Sequence, residues 1–381
     1  MIIPKKISNW TMIVICLFAV LVMVLAHNAP RRDKWYLYKE GAARAMYEAE
    51  MAVAQRAEKT GIREKDTLPT DRFKIEGDRY NAVIHLIGGE ISPLVSSKGS
   101  LYSKIACADP NFAAVIVQLF REAGVKEGDT VAAAFSGSMP GADIAILSAA
   151  KVMGLNPIII SSLGASGWGA TDPELTWLDI ERILYEEGVF AFRSVAASMG
   201  GYWDIQKKKS RREKEMIAGI IKRNGVSMIY EEDVAKNTAR RMQIYKEHAG
   251  ARPIKAFVNV GGDSAVVGSK EYRKYIPSGL FYDLPLDKFP RKGVIMYMVQ
   301  DGVPVINIKN IRRFVQEYDL DPLSEKFPDI GRGNVYQDSG YVVSASGAAL
   351  FVLLTFSMIL IWADVYFLPR VIGAAGFLRK K

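Results

Sequence analysis

At 381 residues, 49% hydrophobic and 24% charged, the chain can bury one large core or two ordinary ones, and its two cysteines exclude a disulfide-built fold. Its formal charge is +9; six of 50 basic residues and one of 41 acids lie in the two tails, leaving an excess of four between them. That suits a polyanionic ligand or an anionic membrane surface, but is too small to indicate nucleic-acid binding, and no nucleic-acid-reading motif is present.

The chain opens with an uncharged run over residues 10–26, "WTMIVICLFAVLVMVLA", and a second, "YVVSASGAALFVLLTFSMILIW", covers 341–362. About 20 apolar residues cross a bilayer core of roughly 30 Å, so spanning helices are expected over 8–27 and 341–363. The first run also has the parts of a signal peptide: Lys5 and Lys6 before it, and a small-residue site at Ala26. Its length, and Arg31, Arg32 and Lys34 directly after it, favour an uncleaved anchor. Arg370, Arg379, Lys380 and Lys381 follow the second run, whereas only Arg332 closely precedes it. Positive charge marks the cytoplasmic side. The expectation is a two-pass topology: a cytoplasmic N-tail (1–7), residues 28–340 displayed on the far side, and a basic cytoplasmic tail (364–381).

An alanine-rich helix is expected over 35–59, ending at Thr60-Gly61, as a membrane-proximal element within 28–60. The run "NAVIHLIG" then reads as an apolar strand, with His85 buried in it. A helix over 111–123 stops at Gly124. "TVAAAF" is a strand, "IAILSAAKVM" a helix closed by Gly154, and "PIIISS" the next strand. Strand–helix–strand at this spacing is a βαβ unit with parallel strands. Capping residues Thr171, Asp172, Pro173 and Glu174 open the following helix, which places Asp179 and Glu181 on a solvated face. Ser210 to Glu213 forms a capping box. "KAFVNV", "GVIMYMV" and "VPVINI" read as further strands, and a basic helix covers 309–317. The fold class is α/β: a doubly wound, mostly parallel sheet in one displayed domain (61–340), flanked by the two transmembrane helices.

Three loops rich in small residues leave strands at the sheet's carboxyl edge, where ligands bind in such folds. They contain Ser136, Gly137, Ser138 and Gly141; Ser161, Ser162, Gly164, Ser166, Gly167, Trp168 and Asp172; and Gly261, Gly262, Asp263 and Ser264. The first two lead into helix N-termini, where free N–H groups and the helix dipole favour a carboxylate or phosphate. Serine hydroxyls add hydrogen bonds, and Trp168 covers a wall. The same composition also makes ordinary turns, with Asp172 serving as a cap and Trp168 as packing. No dinucleotide fingerprint, P-loop, nucleophile elbow or metal-ligand spacing occurs among these residues. No cofactor or metal is implied, and catalytic residues are unassigned.

The segment "GVKEGDTVAAAFSGSMPGADIAILSAAKVMGLNPIIISSLGASGWGATDPELTWLDIERIL" resembles the bacterial poly-γ-glutamate system protein family, whose members are encoded with the machinery that makes and exports that polymer. The likeness continues in "GGEISPLVSSKGSLYSKIACADPNFAA", "FVNVGGDSAVVG" and "GVPVINIKNI", covering most of residues 80–315, and an N-terminal anchor fits it. The resemblance implies a membrane component of poly-γ-glutamate biosynthesis or export in the bacterial cytoplasmic membrane. Its partners would be the lipid bilayer, other subunits of the apparatus and the polymer chain. It carries no assigned catalytic residues. Three readings follow: a subunit that binds the polymer's α-carboxylates or docks other subunits; an anchored amide hydrolase or transferase using Ser138, Ser166 or a nearby Asp; and a structural subunit whose glycine loops are only turns.

Overall fold

The structure is a computed structural model and describes residues 7–28, 33–62, 75–337, 339–363 and 365. Helix α1 (Asn9–Asn28) precedes α2 (Tyr36–Lys59) and α3 (Gly77–Leu86). A short strand, β1 (Val95–Ser97), leads to α4 (Leu101–Cys107) and α5 (Asn111–Glu122). Then β2 (Thr130–Ser136), α6 (Pro140–Val152) and β3 (Asn156–Ser162) form the first βαβ unit. The pieces β4 (Ala165–Ser166), β5 (Thr171–Asp172) and β6 (Leu175–Thr176) precede α7 (Trp177–Glu186). Next come β7 (Ala196–Ser198), α8 (Arg211–Arg223), β8 (Ser227–Ile229), α9 (Val234–Ala249) and β9 (Ile254–Val260). The one-turn α10 (Ser264–Val267), β10 (Gly279–Phe281), α11 (Val294–Gln300), β11 (Val305–Ile308), α12 (Ile311–Tyr318) and α13 (Ser339–Trp362) complete the chain.

Seven strands form one sheet in the order β10-β11-β9-β2-β3-β7-β8. All pairs are parallel except β10 with β11. From β2 the chain proceeds outward through β3, β7 and β8, then returns to place β9 on β2's other side. The sheet's topological switch point therefore lies between β2 and β9, where doubly wound folds open a crevice. Both faces are covered, so β2 is buried along its whole length and reads as a continuous apolar run. Val131, Ala133 and Phe135 join the core on one face; Ala132 and Ala134 join that on the other.

Besides the start of α7, three elements differ from the sequence expectation. Residues 77–86 are helical, because the buried positions Arg79, Ala82, Val83 and Leu86 recur at helical spacing. "VIMYMVQ" is α11, not a strand; five of its seven residues are buried, so neither periodicity shows in the letters. The alanine-rich α2 is a layer of the α/β unit, not a separate stalk. Ala42, Met46, Ala49, Val53 and Ala57 form its buried stripe, packed against α3, α5 and α6. The unit accordingly runs Trp35–Tyr336.

The two chain ends form a second unit, Met1–Lys34 with Gln337–Lys381. In it α1 packs on α13, with the Phe18 and Phe356 rings 4.0 Å apart. Among the described residues, no helix is long and apolar enough to cross a membrane. Side chains are described over 9–24 in α1 and 347–362 in α13, so the expected spans extend past them. The orienting residues Lys5, Lys6, Arg31, Arg32, Arg370, Arg379, Lys380 and Lys381 lie outside the described residues.

Because Met46 is fully buried in the α2 stripe, Met46→Ala leaves a cavity and should cost about 2–5 kcal/mol. A thermal melt of the full chain should fall accordingly. A melt unchanged from wild type would mean that α2 is not part of the core.

Candidate functional site

The loop after β3 folds against its neighbours main chain to main chain. Gly164 N–H donates to the Met199 carbonyl at 2.9 Å, Ala165 to Leu94 at 3.1 Å, Gly167 to Ser97 at 2.9 Å and Trp168 to Gly89 at 3.0 Å. Leu163, Gly169, Ala170 and Thr171 likewise donate to backbone carbonyls, and Ser166 N–H donates to Ser138 Oγ at 3.2 Å. Every N–H from residue 163 to 171 is thus engaged by the protein itself. The outward cradle of free N–H groups expected here is absent. Several glycines in this loop serve close packing: a Cβ on Gly164 would stand 2.6 Å from Gly201 N, and one on Gly167 2.9 Å from Glu90 O.

Neither neighbouring helix N-terminus is open to an anion. The expected cap at Thr171–Glu174 is instead the β5–β6 hairpin, with Asp172 accepting from Glu174 N–H at 2.9 Å. Helix α7 begins later, at a capping box in which Asp179 accepts from Thr176 N–H at 2.9 Å. Asp179 is 2% exposed and also takes Arg223 at 2.6 Å, which holds its carboxyl below the usual range despite burial. Helix α6 carries buried Asp143 in its first turn. Burial, then the charge of Glu181, keeps that carboxyl well above its usual range. The α7 dipole faces the Asp179 carboxylate, and the first turn of α6 is buried throughout.

An anion-attracting cleft exists nevertheless, made by side chains. A cavity of about 200 Å³ lies at the switch point, and Ser138, Ser166, Gly261 and Gly262 line it with Lys98, Arg273 and Lys309. Lys98 is exposed. Arg273 Nε donates to the Gly262 carbonyl at 3.0 Å, and Lys309 Nζ to the Ile276 carbonyl at 2.6 Å, which hold both cations at the rim. Burial and nearby Arg273 depress Lys309's pKa. The floor between β9 and β11 is set by Asn259, which donates to Asn307 Oδ1 at 2.8 Å and to the Gly261 carbonyl at 3.1 Å.

Behind the cleft, Ser162 Oγ donates to Asp263, whose carboxyl is pushed up to about 6 by burial and then by Asp204. Asp204 is fully buried and pairs with buried Arg241 at 2.8 Å, and both bond Ser198 Oγ at 2.7 Å. This pair anchors a loop in which Gly200, Gly201, Trp203, Asp204 and Gln206 all have positive φ. A wider cavity of about 530 Å³ adjoins that loop, lined by residues including Tyr202, Trp203, Ser264, Lys270 and Arg291. Lys207 Nζ lies 3.4 Å from the Trp203 ring centroid.

Of the predicted residues, Ser138, Ser166, Gly261 and Gly262 reach the small cleft and Ser264 the wider one. Ser136, Ser161 and Ser162 are buried behind the cleft. Gly137 is laced to Ser162 and Ala170 by backbone bonds of 3.0 and 2.7 Å. Gly141 serves helix packing: its Cβ would stand 2.6 Å from the Cys107 carbonyl. Trp168 is half-buried against the core at φ 67°, and Asp172 caps a turn; neither lines the cleft. His85 is buried in α3, with Nδ1 donating to the Asn81 carbonyl at 2.8 Å. Lys98, Lys104, Arg273, Lys309 and the two asparagines were not legible as site residues. Lone polar residues inside the apolar strings "KIAC", "FVNV" and "VINI" were the available signal.

Lys104 is the closest cation to the loop serines. It is 3% exposed and donates to Ser166 Oγ at 2.7 Å and to the Ser138 carbonyl. Burial pushes it down to about 8, against the charges of Cys107 and Asp143. Among the described residues, no group of three or more His, Cys, Asp or Glu is placed to hold a metal ion. Compared with protein-family models, curated proteins and solved structures, the chain matches none.

Asp179 and Glu181, expected on a solvated face, are both buried. Trp177 Nε1 donates to Ser161 Oγ at 3.0 Å, Ser161 to Ser194 Oγ at 2.7 Å, and Ser194 to Glu181 Oε1 at 2.8 Å. Burial raises Glu181 to about 7 from 4.5, against the Ser194 hydrogen bonds. A raised carboxyl binds its proton more tightly folded than unfolded, so its contribution to stability is lost as pH rises from about 4.5 to about 7. The melting temperature of Glu181→Gln relative to wild type should therefore climb between about pH 4.5 and about pH 7. A difference that stays flat with pH would show that Glu181 titrates normally.

Proposed function

We propose that the chain is a membrane-anchored component of the bacterial poly-γ-glutamate biosynthesis or export apparatus. Residues 28–340 would be displayed outside the cytoplasmic membrane, both termini would lie inside, and other subunits would dock on it. The switch-point cleft would hold the polymer's free α-carboxylates. The observation that carries this reading is the cleft itself, where three cations, Lys98, Arg273 and Lys309, surround two serine residues. Carboxylates suit such a lining, since charge-assisted hydrogen bonds are the strong ones. The two uncharged runs of the sequence and the positive charges flanking them support the topology. The resemblance over residues 80–315 supports the polymer.

The second reading, an anchored amide hydrolase or transferase, is favoured by one specific observation: buried Lys104 meets cleft-lining Ser166 at 2.7 Å.

Two measurements bear on the first reading. Fluorescently labelled poly-γ-glutamate titrated against the full chain in detergent should bind, weaken with added salt, and bind Lys98→Glu about tenfold more weakly. Salt-independent binding, or an unchanged Lys98→Glu variant, would remove the cleft from the account. For topology, Lys98→Cys combined with Cys16→Ser should react with a membrane-impermeant maleimide in intact cells, since Lys98 is exposed and the remaining Cys107 buried. Labelling only after cell lysis would place the domain inside.

A further inference from the structure

A cation meant only to attract carboxylates would extend its ammonium into solvent. Lys104 does the opposite: it is 3% exposed, does not line the cleft, and ends on the hydroxyl of a serine that does. Its position is fixed twice. The Ser138 carbonyl accepts a second hydrogen bond from Nζ. Helix α4 is also pressed on α6 at Gly141, where a Cβ would stand 2.6 Å from the Cys107 carbonyl. In neutral Lys104 this geometry lets one N–H stay on the Ser138 carbonyl while the nitrogen lone pair faces Ser166 Oγ.

We propose that Ser166 is a nucleophile and Lys104 its general base, together forming a serine–lysine acyl-transfer site for amides or esters flanked by carboxylates. The substrate class rests on the anion-binding reading of the same cleft; the pairing itself does not. In the first step Ser166 Oγ bonds to the substrate carbonyl carbon while its proton passes to Lys104 Nζ. The carbon–nitrogen bond of an amide, or the carbon–oxygen bond of an ester, then breaks, and the leaving amine or alcohol takes that proton. Water gives a proton to the regenerated lysine and bonds to the acyl carbon; the bond to Ser166 Oγ breaks, Oγ takes the proton back from Lys104, and the acid is freed. Serine activated by an adjacent base follows the general logic of covalent catalysis.

The charged surroundings suit a lysine that loses its proton. Desolvation lowers it to about 8, and its partners in the opposite direction are Cys107 on α4 and Asp143 on α6. Both of these are fully buried and held toward their neutral forms. Lys98, Arg273 and Lys309 line the same cleft as Ser166.

The test uses full-length protein in detergent and a biotinylated fluorophosphonate, from which serine displaces fluoride, with peptide mass spectrometry locating the adduct. The expected result is modification of Ser166, at a rate that rises with pH through about 8 and falls about 100-fold in Lys104→Met. Should that variant fail to fold, the wild-type adduct and its pH profile still decide. No Ser166 adduct at about pH 9, or a rate independent of pH, overturns the pairing. If poly-γ-glutamate still binds in that case, the binding reading stands without it. A Lys104-dependent adduct whose formation excess polymer does not slow supports the pairing and overturns the carboxylate-flanked substrate class.

Discussion

At the carboxyl edge of the sheet, main chain packs directly on main chain. Gly137 gives its N–H to the Ser162 carbonyl and accepts at its own carbonyl from Ala170, so the loops after β2 and β3 are laced together. Gly169, stacked on Gly137 and Ser138, and Gly200, stacked on Gly164, leave no space for side chains. Segment 88–97 closes the lattice by accepting from Ala165, Gly167 and Trp168. A Cβ at almost any of these glycines would force strands or loops apart. This close approach sets where Ser138 and Ser166 stand, and so where the cleft can be.

The same lacing dictates how the cleft can carry charge. With every N–H of residues 163–171 engaged, Asp179 capping α7 and the first turn of α6 buried, backbone dipoles are not on offer to a ligand. Positive potential must come from side chains of other segments, and it does, from Lys98, Arg273 and Lys309. Behind them the chain holds a set of buried acids. Asp204 pairs with Arg241, whereas burial raises the pKa values of Glu181 and Asp263, the latter further through Asp204, against the hydrogen bonds from their serine partners. Burial of this kind is costly for the charged form. It persists where the surrounding packing over-determines it, as around the positive-φ loop at residues 200–206.

Much of this was legible in the letters, for physical reasons. Strands β2, β3, β9 and β11 announce themselves because parallel strands covered on both faces are unbroken apolar runs. The capping box at Ser210 is local chemistry and forms as read. What failed was short: α3 buries Arg79 and His85 along with its apolar positions, so its period does not show as a hydrophobic one, and α11 lacks enough polar positions to display any. The cap of α7 was misplaced because "TDPE" satisfies a turn as well as a helix start. At the site, the loops were placed on the correct edge, but composition could not separate glycines that admit a ligand from glycines that admit another loop. Gly141, Gly164 and Gly167 are of the second kind. The cations were invisible because the fold gathers Lys98, Lys104, Arg273 and Lys309 from distant segments of the chain.

The most direct test of the account is a structure of the full-length protein bound to a short γ-glutamyl oligomer. The oligomer is expected in the switch-point cleft, with carboxylates on Lys98 and Arg273 and an amide carbonyl beside Ser166. An oligomer seated elsewhere on the protein, with that cleft empty at saturation, would contradict it.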